Sequence, residues 1–118
     1  MRPFLLVWNS AQVDVYQQQL LAHLDSRPEI KNYYAPFLGT ILIIADQNQS
    51  PSSLSNLIHM RFPSLLIAVS PADQWSIDGW MPQVFWNLIQ SPRSSGKWDP
   101  APPGLQALAD LLKVPPKK

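Results

Sequence analysis

Short apolar runs of strand length alternate along this chain with longer stretches of helical period. Phe4 to Trp8 is the first run, and it ends at Asn9-Ser10. Asn9 is a favoured helix cap, and Gln12 three residues later completes a capping-box pattern. Val13, Tyr16, Leu20 and Leu24 then make one apolar stripe, closed at Arg27-Pro28 because proline disfavours helix in the residue before it. Ile30 to Ala35 predicts a second strand, the most polar of the set, with Lys31 and Asn32 in it. After the turn-rich break Pro36-Phe37-Leu38-Gly39, Thr40 to Ala45 predicts a strongly β-branched third strand. Four connecting residues cannot make a parallel crossover, so these strands form an antiparallel hairpin and a doubly wound sheet is excluded. Ser50 caps a second helix with Pro51 at its first position; Leu54, Leu57 and Ile58 give it an apolar face, and Pro63 stops it. Leu65 to Val69 predicts the fourth strand.

The order β-α-β-β-α-β is the split βαβ arrangement, so the expected fold is an α+β ferredoxin-like sandwich over residues 1–90. Its first and third strands would be central, its second and fourth at the edges. Gln74 to Gly79 predicts a loop, and Pro82 can open a short helix through Ile89, with Met81, Phe85, Leu88 and Ile89 on one side. Residues 91–118 form a Pro-rich extension: a linker from Ser91 to Gly104, then a short amphipathic helix marked by Leu105, Leu108, Leu111 and Leu112. That helix is shorter than the ~12–15 residues that hold helicity alone in water, so its leucine face needs something to dock on.

One face of a sheet covered by two helices should leave polar residues on the other. These strands break that rule. Phe4, Leu6 and Trp8 oppose Leu5 and Val7; Ile41 and Ile43 oppose Leu42 and Ile44; Leu65, Ile67 and Val69 oppose Leu66 and Ala68. Both faces therefore need cover, either from the segment beginning at Trp80 or from the same face of another copy.

Composition sharpens this. Charged residues are only 14% of the chain, well below the ~25% of an average globular domain, so its surface is weakly defended against association. Residues 1–90 hold four Lys/Arg and six Asp/Glu, a balance of −2; residues 91–118 hold five and two, a balance of +3. The globular part has no charge surplus for a phosphate backbone, and nucleic acid is not supported by charge as a partner. Cysteine is absent, which removes disulfides and thiolate chemistry. The run Phe4 to Trp8 is too short for a secretory signal, and no apolar stretch approaches the ~20 residues that span a bilayer. A cytoplasmic location with no membrane partner is the expectation.

Candidate chemistry is sparse. His23 and His59 each sit on a helix beside an apolar position, and His23 does not face Asp25 two residues on. The serines from Ser50 to Ser55 lie where a helix needs caps, and four glycines form no phosphate-cradling loop. No catalytic residue, metal site or cofactor is assigned. The tryptophans stand out: Trp75, Trp80 and Trp86 cluster with Met81 and Phe85, and the expectation is that they pack the second sheet face. As an interaction surface the candidates are Trp75, Trp80, Met81, Phe85 and Trp86, with Leu105, Leu108 and Leu112 of the extension, because tryptophan dominates protein-binding hot spots. The adjacent Tyr33-Tyr34 could stack bases but lacks flanking cations.

A strand ending in Asn9 before a helix, the pair Tyr33-Tyr34 before a hairpin, and the stretches Gly79-Trp80-Met81-Pro82 and Phe85-Trp86-Asn87-Leu88-Ile89 follow one another in a familiar order. In this, residues 3–90 resemble the small ferredoxin-fold proteins related to the CRISPR adaptation endonuclease subunit, antitoxin endoribonucleases among them. The resemblance implies a homodimer joined through the last strands and metal-dependent phosphodiester cleavage. It also implies an Asp at the end of the first strand as metal ligand, and the matching residue here is Asn9. A neutral amide holds a hard divalent cation far more weakly than a carboxylate does. The expectation is therefore a homodimeric, non-catalytic module that binds another macromolecule, more readily protein than nucleic acid.

Overall fold

The computed structural model describes residues 1–9 and 13–95. Its elements run β1 (Arg2–Asn9), α1 (Val13–Ser26), β2 (Ile30–Phe37), β3 (Thr40–Ala45), α2 (Pro51–His59), β4 (Leu66–Pro71) and α3 (Gln83–Gln90). The four strands form one sheet in the order β2-β3-β1-β4, every neighbouring pair antiparallel. This is a mixed α+β domain with the first and third strands central, as expected from the element order.

Local chemistry accounts for the boundaries. Only Leu38 and Gly39 separate β2 from β3, and Gly39 has φ +88. A Cβ there would come within 3.2 Å of the Trp8 carbonyl oxygen, while the Trp8 N–H donates to the Gly39 carbonyl at 3.0 Å. Glycine is thus required twice over, by its dihedral and by the close approach of β1. Pro36 and Phe37, expected in the break, belong to β2 instead. The register slips between Tyr34 and Phe37, and that irregularity absorbs Pro36, which has no N–H to give the ladder. Ser50 caps α2 as expected: its Oγ accepts from the Ser53 N–H at 3.1 Å, and its own N–H donates to Ser53 Oγ at 2.9 Å. The helix ends at His59, before Pro63, and turns so that buried Phe62 meets Tyr16 and His23 edge to face.

Two apolar layers result. Phe4, Leu6, Trp8, Ile41, Ile43 and Ala45 lie beneath Leu20 and Leu24 of α1 and Leu54 and Ile58 of α2. On the opposite face Leu42 and Ile44, with Leu5 and Tyr34 beside them, lie beneath Phe85, Leu88 and Ile89 of α3. Ile41 to Ala45 is buried without interruption because β3 is central and covered on both faces.

The tryptophans need a correction. Trp86 does pack on the second face, edge to face with Phe85 at 5.1 Å. Trp75 and Trp80 do not: they are 85% and 100% exposed. The loop between β4 and α3 is anchored instead by Ile77 and Met81, which join the second layer. The Asp73 carboxylate holds its first turn, accepting from the Trp75 N–H at 2.9 Å and from Ser76 Oγ at 3.3 Å. With the inward positions taken by Ile77 and Met81, the indoles project outward.

Beyond α3 the chain returns to the sheet edge. The Ser95 N–H donates to the Lys31 carbonyl at 2.8 Å, and the Asn32 side-chain amide donates to the Arg93 carbonyl at 3.2 Å. The rest of the extension, including the expected helix with Leu105, Leu108 and Leu112, lies outside the described residues.

Candidate interaction surface

Residues directly opposite in an antiparallel ladder share a face, so the register shows which rows α3 covers and which it leaves. Leu5 is opposite both Leu42 and Ser70, and Leu42 is opposite Tyr34; this row runs under or beside α3. The next row on the same face is Phe37, Thr40, Val7 and Ala68, linked pairwise across all four strands. Asn9 opposite Leu66 lies beyond it. Nothing among the described residues covers this second row. Phe37 is 54% exposed, Val7 43% and Leu66 71%, and Ala68 is also exposed. None of the six side chains carries a charge.

The reason is a mismatch of lengths. An eight-residue helix such as α3 is about 12 Å long, whereas an eight-residue strand such as β1 runs about 26 Å. One short helix covers half the face and leaves an apolar belt across the other half. At the β1–β4 end the belt dips into a shallow depression of about 360 Å³ lined by Val7, Trp8, Asn9, Leu66, Ile67 and Ala68. The belt also reaches an open edge. Strand β4, Leu-Ile-Ala-Val-Ser-Pro, pairs only with β1 among the described residues and has no charged side chain. Charge on an edge strand is the ordinary defence against pairing with another chain.

Comparison with family models, with curated proteins and with solved structures gives no match.

The polar candidates disperse. Asn9 ends β1, exposed, on the belt face; its proposed capping partner Gln12 lies outside the described residues. His23 has Nε2 3.0 Å from the Leu57 carbonyl oxygen and its ring edge-on to Phe62, a contact that ties α1 to α2. His59 is exposed on the last turn of α2. Tyr33 and Tyr34 point to opposite faces, since Tyr33 packs with the first layer and Tyr34 with the second, so they form no stacking platform. The Tyr33 hydroxyl donates to Asp25 Oδ2 at 3.1 Å, and burial first, that bond second, raises its pKa above the ordinary tyrosine value. The Arg27 guanidinium, 2.6 Å from Glu29 Oε2, holds the Glu29 carboxyl below the usual range. No three His, Cys, Asp or Glu side chains converge among the described residues.

Of the candidates named from sequence, Met81, Phe85 and Trp86 are brought together as the cover of the second face. Trp75 and Trp80 stand apart from it. The belt residues Phe37, Val7, Leu66 and Ala68 were not singled out by the sequence, although Val7, Leu66 and Ala68 belong to its two-sided strands.

Proposed function

We propose that this chain is a small homodimeric macromolecule-binding module of ferredoxin-like build, without catalytic activity. The belt carries this reading: an uncharged apolar row across four strands that ends at an uncharged open edge. Support for the build comes from the element order β-α-β-β-α-β and the strand order β2-β3-β1-β4, with α3 added on the second face. A second copy joins at β4, edge to edge and antiparallel across a two-fold axis, extending the sheet and leaving the belt faces open. The belt and the outward Trp75 and Trp80 then serve protein recognition, because apolar and aromatic side chains without neighbouring Lys or Arg suit a protein surface better than a phosphate backbone. The cytoplasm is the proposed setting, in keeping with Phe4 to Trp8 being spent as a central, largely buried strand.

Light scattering at micromolar concentration tests the dimer. The expected mass is twice the 13.3 kDa of one chain, and Ser70→Lys, which charges the β4 edge at an exposed position outside the belt row, should return a monomer. A wild-type chain that stays monomeric on concentration refutes the edge pairing. The endonuclease reading, for which Asn9 is the matching position, has no observation here in its favour. Cleavage of RNA or DNA that a chelator abolishes would overturn the non-catalytic reading.

A further inference from the structure

The belt needs an occupant even when a partner is absent, and edge pairing at β4 does not supply one, because it lies in the plane of the sheet. Resting on the reading above, we infer that the leucine-bearing segment 105–112 of the same chain seats on the belt and shields it until a partner displaces it.

The place where the described chain ends makes this reachable. Residues 93–95 are held at the outer edge of β2 beside Lys31 and Asn32. From there to Val7 is three strand spacings across and about five residues along the sheet. At ordinary strand spacing and rise that is about 22 Å. The nine residues 96–104 span up to about 30 Å when extended, enough to turn back along β2 and deliver the segment to the belt. Size agrees as well. The helix that the leucine spacing predicts over 105–112 is about 12 Å long, against about 14 Å for the three strand spacings from Phe37 to Ala68. Leu105, Leu108 and Leu112 fall on one stripe, and so provide an apolar ridge for an apolar row. Charge favours the same pairing: residues 91–118 carry +3 and residues 1–90 carry −2, so the extension is attracted to its own body. A Leu-spaced ridge against an apolar face is the same mode by which an amphipathic helix of a partner would bind, so own segment and partner exclude one another.

The absence of cysteine allows a direct test in the full chain. Val7→Cys places a thiol in the belt on a central strand, away from the β4 edge. Its reaction with a soluble disulfide reagent should be slowed at least about tenfold, equivalent to about 1.4 kcal/mol of cover, relative to the same variant carrying Leu108→Ser and Leu112→Ser. The protection should not change on dilution. Oxidation of the pair Val7→Cys and Leu108→Cys should give a disulfide within one chain, read as monomer mass on a denaturing non-reducing gel. Equal thiol rates with and without the leucines overturn the inference. So does protection that fades on dilution, or a disulfide formed mainly between chains; each would assign the belt to a second copy. If Val7→Cys does not fold, as judged by circular dichroism, Thr40→Cys in the same row takes its place. The dimer itself is judged by the mass of Ser70→Lys, a change on β4 outside the belt row that leaves the extension intact, so the two readings fail separately.

Discussion

Replacing Phe85 by Ala removes the largest buried side chain of the second layer, and the structure sets what that costs. Phe85 is 2% exposed, packed with Leu42, Ile44, Leu88 and Ile89 and edge-on to Trp86. Truncation of a buried Phe typically costs about 3–5 kcal/mol, transfer and cavity together. Here the consequence goes beyond a cavity. An eight-residue helix has no stability of its own in water, so α3 exists only through this layer. If α3 stays docked, a loss of about 3–5 kcal/mol with a urea slope of about 1–3 kcal/mol/M moves the midpoint down by about 2 M. If α3 detaches, the midpoint falls less, and the slope falls as well, because the weakened native state already exposes Leu5, Leu42 and Ile44. Urea titration followed by circular dichroism distinguishes the two outcomes. Trp80→Ala is the matched control: a larger side chain in the loop before α3, fully exposed, and expected to stay within about 0.5 kcal/mol of wild type. A Phe85→Ala midpoint and slope equal to wild type, or a Trp80→Ala cost equal to that of Phe85→Ala, would refute the assignment of the second layer.

Three further outcomes follow from local geometry. Ser50→Ala loses the α2 capping bond that Ser50 Oγ accepts from the Ser53 N–H and should cost about 1 kcal/mol in the same titration, whereas Ser52→Ala, at an exposed position, should cost less. Gly39→Ala forces a side chain into φ +88 against the Trp8 carbonyl and should destabilise by more than about 1 kcal/mol; an unchanged midpoint would mean that the hairpin can relax. Glu29 has its carboxyl depressed by Arg27, so its contribution is fully present above the ordinary carboxylate range and is lost as pH falls through the lowered folded value. Arg27→Ala should therefore lower the neutral plateau of a pH–stability curve slightly and leave stability below the carboxylate range unchanged, so that the acid limb flattens; the change is small because the pair is partly solvated.

The sequence was most readable where a single short-range constraint decided the structure. The short break before Thr40 required a hairpin, and Ser50-Pro51 required a helix start; both are where the sequence places them. Two-sided apolar strands pointed to cover on both faces, and on the second face Phe85, Leu88 and Ile89 supply it over one half. What could not be read locally was which loop residues reach inward. Ile77 and Met81 fill those positions, and the bulkier Trp75 and Trp80 are left outside, a choice made by three-dimensional packing over Leu42 and Ile44. The adjacent tyrosines show the opposite case: strand alternation alone sends Tyr33 and Tyr34 to different layers. The belt lay between these extremes. Its residues alternate visibly in β1 and β4, but locating it required the strand register together with the short span of α3.

The late position of α3 has a consequence for how the chain is made. All four strands are complete at Pro71, yet the cover for Leu5, Leu42 and Ile44 is not finished until Gln90. At about 5–20 residues per second of synthesis, that leaves one to a few seconds in which an assembled sheet has its second, largely apolar face uncovered. The run Ile41 to Ala45, uncharged and free of proline and glycine, has the character of an aggregation-prone segment during that interval. The smallest piece of this chain that can be handled in solution therefore extends through Gln90, and fragments that stop at the end of the sheet should precipitate although every strand is present.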